Sequence, residues 1–114
     1  MTTHSFTVGK DQEVLATLQA AVAGAGIRRG SVTLIGAVQS AAVSVMRKSD
    51  ELDDLVRDYH QPLELSGTGE VVEGRLHLHA TLYGEDLTVG GHLHRAVVGA
   101  FFVNAYVTEV GPAP

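Results

Sequence analysis

Strict alternation of apolar and polar residues from Arg75 to Tyr83 is the feature that most constrains the fold. A β-strand turns successive side chains to opposite faces, so this pattern predicts a strand with one apolar and one polar face. The chain must therefore bury one face of a sheet and leave the other polar. The apolar side carries Leu76, Leu78, Ala80 and Leu82, and the polar side carries Arg75, His77, His79, Thr81 and Tyr83.

Other strand-like segments lie on both sides of this one. Strands are predicted at 4–8, in two pieces of 31–46 that join near Gln39 and Ser40, at 62–72, at 87–94 and at 96–110. The links between them are too short for parallel crossovers, so the sheet should be mostly antiparallel. Residues 47–60 are interpreted as an exposed loop because acidic residues interrupt the apolar pattern there.

One amphipathic helix is predicted over residues 11–24. Its apolar stripe recurs every four residues at Val14, Leu18 and Val22. Asp11 is the expected N-cap, because a short carboxylate side chain accepts hydrogen bonds from free amides at a helix start. One helix with six to seven strands predicts an α+β fold whose helix covers one sheet face. The 114 residues are expected to form a single domain, 1–114.

Composition excludes several classes of protein. The chain has no cysteine, so disulfides and thiolate metal sites are excluded and a cytoplasmic location is expected. No apolar run approaches the roughly 20 residues of a membrane helix, and the first residues do not form a secretory signal. The formal net charge is −5 and the basic residues are scattered. Direct binding to nucleic acid is therefore not expected.

Six histidines in so short a chain indicate a metal site. His77 and His79 share one strand face at a spacing of roughly 6.5–7 Å, from which two imidazoles can meet on one ion. An antiparallel return after Gly90 and Gly91 would bring His92 to them. We predict that these three histidines bind Zn²⁺, with Ni²⁺, Cu²⁺ or Fe²⁺ as competitors. The alternative is that they are ordinary polar surface residues. His94 could complete a four-histidine site or face solvent, and it is left outside the ligand set.

Three protein ligands would leave a fourth coordination position for water or a small anion. This arrangement is typical of catalytic or ligand-binding sites and not of closed structural ones. No catalytic residue is assigned from the sequence. Residues that could act as a general acid or base are Glu64, Glu70 and Glu109, and those that could hold an anion are Arg75 and Arg95. The alternative for each is an ordinary charge on a strand surface.

Several of these segments together resemble the PPC (plant and prokaryote conserved) domain. The specific part is the pair of motifs GRLHLH at 74–79 and GGHL at 90–93, and YVTEV at 106–110 supports it. The early strand, the predicted helix and the SVTLIGAV segment at 31–38 extend the resemblance over nearly the whole chain. His94 is not part of the family pattern.

The resemblance implies an α+β fold, a homotrimer and a metal, usually zinc, held by His77, His79 and His92. Prokaryotic PPC proteins stand alone, and their fold is similar to that of acetolactate decarboxylase, which also holds zinc with three histidines. In plants the domain follows an AT-hook that contacts DNA. This sequence has no Arg-Gly-Arg-Pro segment, so a DNA-binding label would come from the family alone.

Oligomerisation is also suggested by residues 96–110, which are apolar on both faces when read as one strand. Such a strand is either central in a sheet or covered by a partner subunit, and the resemblance favours a closed oligomer. Three functions follow as hypotheses. The first hypothesis is a homotrimeric zinc module that binds a small anionic ligand or a partner. The second is a zinc-dependent hydrolase or lyase, and the third is a DNA-associated protein by family label only.

Overall fold

A computed structural model describes residues 2–111, which form one eight-stranded sheet and one helix. The strand order is β1-β8-β2-β5-β6-β7-β3-β4, and every neighbouring pair is antiparallel. The predicted α+β class is confirmed, although the strands number eight and not six to seven. The elements are β1 (Thr3–Val8), α1 (Val14–Gly24), β2 (Arg29–Val38), β3 (Ser40–Arg47), β4 (Asp50–Tyr59), β5 (Leu63–Val72), β6 (Arg75–Tyr83), β7 (Thr88–Val97) and β8 (Val103–Glu109).

Strand β4 corrects the loop predicted at 47–60. It lies at the edge of the sheet and pairs with β3 alone. An edge strand with little covering on its faces can carry charges, and charges there deter pairing with other chains. Its carboxylates lie in solvent, where Asp53 meets Arg47 at 3.2 Å. The acidic composition therefore marks an edge strand and not a loop.

The single strand predicted at 96–110 is wrong, because a connection between β7 and β8 interrupts it. The break lets Val98 and Val103 both enter the core, where each has no exposed surface. Phe101 and Phe102 instead stand 68% and 48% exposed. The apolar residues of this segment are thus divided between two strands and a connection.

The core lies between α1 and one face of the sheet, as the alternation predicts. Val14, Leu18 and Val22 are all buried against it. The sheet contributes buried residues that include Val32, Leu34, Leu65, Val71, Leu78, Leu82, Leu93, Ala105 and Val107.

Among residues 2–111 no helix combines the length and apolarity that a bilayer crossing requires.

Glu13, and not Asp11, caps the helix. Its carboxylate accepts hydrogen bonds from the backbone amides of Leu15 at 3.0 Å and Ala16 at 2.8 Å. The same carboxylate accepts a third bond, at 3.0 Å, from the amide of Ala96 in β7. Asp11 has a φ of 66° and lies in the preceding turn. The longer Glu side chain thus ties the helix start to the sheet.

The opposite side of the sheet, which we call the outer face, has no helix on it in the described part of the chain. A row of directly opposed residues crosses it from β8 to β7: Tyr106, Thr33, Thr68, His79 and His92. Hydroxyl and imidazole groups therefore make up this row, in contrast to the apolar core side.

Candidate metal centre

Strand β6 carries His77 and His79 to the outer face. Leu78 between them is completely buried, so the two imidazoles project from the other side of the strand. On the neighbouring strand β5, Glu70 lies opposite His77 and Thr68 lies opposite His79. The two imidazole rings meet edge to face with centroids 5.0 Å apart.

Strand β7 brings the third histidine, as the sequence predicts. His92 lies directly opposite His79 in the antiparallel register. Close packing explains why a glycine precedes His92, because a Cβ on Gly91 would collide with the backbone carbonyl of Ser44 in β3. The glycine lets β3 approach closely and fixes the position of β7 beside β6.

The three imidazoles form one cluster, which we call the His trio: His77, His79 and His92. One nitrogen from each ring lies within 4.8 Å of the others. Nε2 of His77 is 3.0 Å from Nδ1 of His92. Tetrahedral zinc with bonds of 2.0–2.1 Å needs ligand nitrogens about 3.3 Å apart, so modest side-chain rotations suffice to bring all three nitrogens to one ion. The donor set fits a divalent transition metal, and metal binding itself stays a prediction.

The pKa of His92 is lowered from its ordinary value. Partial burial is the largest cause, and the positive charges that His94, His77 and His79 carry when protonated add to it, while Asp54 opposes the shift. Neutral imidazole is the form that binds a metal ion. The surroundings of His92 therefore favour its ligand form.

His94 lies beside the trio but is held elsewhere. A β-bulge in β7 places Leu93 opposite Val43 and Arg95 opposite Ala42, which leaves His94 without an opposed residue on β3. Its Nε2 lies 2.7 Å from the hydroxyl oxygen of Ser44, which is buried. The cluster of three that the structure forms does not include His94. No sequence motif marks Ser44.

Of the three predicted acid or base residues, the structure brings only Glu70 to the trio. Glu70 lines a cavity of about 430 Å³ together with His77 and His79. Glu109 instead lies 3.3 Å from His4 near the sheet edge. Glu64 lies opposite Tyr83, at the other end of β6.

The predicted anion-binding arginines do not line this cavity. Arg75 begins β6 opposite Val72, and Arg95 lies 3.9 Å from Asp58. Arg29 lines it instead, a residue that sequence reasoning missed. Only the pairing of β2 with β5 brings Arg29 near the trio, and the sequence shows no local sign of that pairing.

Comparison with known families agrees with this geometry. The model of the Plants and Prokaryotes Conserved (PCC) domain matches residues 1–111. The chain belongs to the PCC domain family. This is the family that the histidine motifs indicate under the name PPC. No curated protein matches the PCC chain in sequence.

Solved structures share the fold of this PCC chain. A plant- and prokaryote-conserved protein from Pyrococcus horikoshii aligns with a TM-score of 0.85 at 22% identity, over 98% of this chain and 81% of its own. A metal-containing protein from Archaeoglobus fulgidus aligns with a TM-score of 0.82 at 22% identity, over 98% and 84%. At these identities the similarity shows the fold alone.

Two further structures bear on the functional hypotheses. A candidate DNA-binding protein from Ralstonia eutropha aligns with a TM-score of 0.79 at 23% identity, over 91% of the PCC chain and 75% of its own. The DNA-binding label therefore does occur among proteins of this fold. Acetolactate decarboxylase from Bacillus subtilis aligns with a TM-score of 0.64 at 10% identity, and this chain spans only 52% of its length.

Proposed function

We propose that this PCC chain is a metal-dependent binding module whose His trio holds a divalent ion, zinc by preference. The observation that carries the proposal is the convergence of three imidazole nitrogens within 4.8 Å on the outer face. Three neutral nitrogens without thiolates suit zinc. The metal-containing A. fulgidus protein of the same fold gives further support. When bound, the ion would supply positive charge and an open coordination position.

The ligand of this module is a small anion. The cavity beside the trio is lined by Arg29 and by the hydroxyl-bearing residues Ser31 and Thr68. The guanidinium of Arg29 also donates a hydrogen bond to the backbone carbonyl of Gly111 at 2.9 Å. A planar cation with several donors and two hydroxyl groups suits the oxygens of a carboxylate or a phosphate. Glu70 is the only carboxylate among the residues that line this cavity. The divalent ion and Arg29 together outweigh its negative charge.

Metal analysis of protein purified without a histidine tag tests the metal site. We expect about one ion per chain in the wild type and less than about 0.2 in a His77→Ala/His79→Ala variant, because one remaining imidazole cannot hold the ion. A His60→Ala variant is the matched control, since His60 is exposed and lies outside the trio. A metal-free wild type, or a double variant that keeps its metal, would overturn the proposal.

A homotrimer is proposed as the working assembly, supported by the family resemblance and by the β3–β4 hairpin. Four apolar side chains of this hairpin are exposed: Val45 at 47%, Met46 at 64%, Leu52 at 91% and Val56 at 50%. Exposed apolar groups that lie near one another are typical of protein interfaces. Light scattering should give three times the 12.0 kDa chain mass. A monomeric mass would contradict the assembly and leave the metal test unaffected.

A second candidate function is a zinc-dependent hydrolase or lyase that acts on a small carboxylate or ester. The position of Glu70 opposite His77 favours it, because a carboxylate beside a metal site can accept a proton. Small carboxylates and esters should then be turned over only without chelator. Glu70→Gln should lose turnover but keep its metal. Turnover that survives chelation would exclude this function.

A further inference from the structure

Three depressions of the outer face adjoin one another along β5. The cavity beside the trio shares Thr68 and His79 with a second depression of about 480 Å³. The second shares Ile35 with a third of about 760 Å³ at the far end of the sheet. We call these three adjoining depressions together the trough.

The trough exists because small side chains form its floor. Ser66 and Thr68 of β5 and Ala37 of β2 project from the outer face, as their register with β6 and its neighbours requires. Larger side chains rise on either side: Ile35 on β2 and Tyr83 on β6. The hydroxyl of Tyr83 lies 3.0 Å from that of Ser66 on the floor, which fixes the position of the tyrosine ring.

The two ends of the trough differ in chemistry. At one end lie Arg29 and two members of the His trio, His77 and His79. At the other end Ile35, Phe101 and Phe102 expose 60%, 68% and 48% of their surface. Lone exposed apolar residues are common, but three that line one depression of this volume form a typical site for an apolar group. The two ends are separated along β6 by the four residue steps from His79 to Tyr83, or about 13 Å.

From this geometry we propose that the trough binds a free linear monocarboxylate with an acyl tail of medium length. The carboxylate head lies at the trio and Arg29, and the tail runs over Ser66 to Ile35 and Phe102. The assignment of the head rests on the function proposed above, whereas the tail site stands on the apolar end alone.

Charge fixes the direction in which the ligand lies. Glu64 lines the apolar end, where its carboxylate would repel an anionic head while its methylene stem contacts the tail. At the other end the cationic groups attract the head despite Glu70. A short carboxylate would fill only the polar end and leave the aromatic side chains in water.

Calorimetric titration of zinc-loaded protein with butanoate and octanoate tests the proposal. Each methylene buried is worth about fourfold in affinity, so octanoate should bind at least about tenfold more tightly than butanoate. Ile35→Ala should reduce this ratio and Ala37→Phe, which fills the trough, should abolish it. Leu52→Ala, on the β3–β4 hairpin, is the matched control. Equal affinities for the two acids would overturn the proposal.

Metal content and molecular mass, measured on the same samples, separate the remaining outcomes. A wild type without metal that still prefers octanoate would overturn the metal site but retain the tail site. If octanoate does not bind and Ile35→Ala dissociates the oligomer, the trough is an interface between copies and the proposal fails.

Discussion

The two faces of the sheet are built by the same strands but have different roles. On the helix-covered face, Leu78 has no exposed surface and packs in the core. On the outer face, its neighbours His77 and His79 point away from that core and toward His92. The comparison teaches that the alternation in β6 sets the stability of the fold and the chemistry of the site separately, so substitutions should divide in the same way.

Leu78→Ala should give the largest effect and test this division directly. Removing a completely buried Leu side chain leaves a cavity, so the free energy of unfolding should fall by about 2–5 kcal/mol. His79→Ala, the next residue, should cost less than about 1 kcal/mol in metal-free protein, because it lies on the exposed face. Urea unfolding in the presence of chelator measures both. Equal losses would break the comparison between the faces.

Gly69→Ala should damage both faces at once. A Cβ at this position would collide with the backbone carbonyl of His77 and with the side chain of Leu78. Strands β5 and β6 must therefore separate, which should cost about 1–3 kcal/mol and weaken metal binding by moving His77. The measurements are urea unfolding and zinc titration. Gly24→Ala is the control, since a Cβ there meets no atom within 4 Å.

Glu13→Ala should affect the helix-covered face alone. The change removes the helix cap and the hydrogen bond from the amide of Ala96, at a cost of about 1–2 kcal/mol. Zinc affinity should not change, because Ala96 lies beyond the β7 bulge from His92. Glu51→Ala on the exposed edge strand is the control. A change in zinc affinity would show that the helix also positions the site.

Acid should destabilise the metal-free protein through the outer face. The pKa of His92 is lowered in the folded state, so the unfolded chain binds more protons and stability rises with pH. The stability that depends on neutral His92 is fully present above about pH 6.5, the ordinary pKa of histidine. It is lost as the pH falls from there toward the lowered pKa of His92 in the folded protein. Urea unfolding in the presence of chelator, repeated over a range of pH, should show a smaller loss of stability on acidification for a His92→Gln variant than for wild type. A His60→Gln variant should lose as much stability as wild type. Parallel pH curves for wild type and His92→Gln would contradict this assignment.

The sequence predicts best where alternation is strict. The pattern around Leu78 predicts which side chains are buried, and the pair Gly90-Gly91 correctly places His92 beside His79. The helix also ends at Gly24 as predicted. These features depend on residues close together in the chain, where the spacing of side chains fixes their direction.

Features that depend on distant pairing could not be predicted. Arg29 and Ser31 reach the cavity only because β2 pairs with β5. Strand β4 is missed because an edge strand needs no apolar face, so its composition is that of a loop. Ser44 is missed because a buried hydroxyl gains its meaning from its partner His94, which comes from another strand.

The bulge at His94 has a consequence for how such a surface can change. Because an extra residue enters β7 there, Leu93 and Ala96 both stay buried while the two residues between them lie on the opposite side. A single-residue insertion thus adds a functional group to one side without shifting the other out of register. An insertion or deletion of one residue at this bulge would therefore change the chemistry of the outer face while the interior keeps its packing.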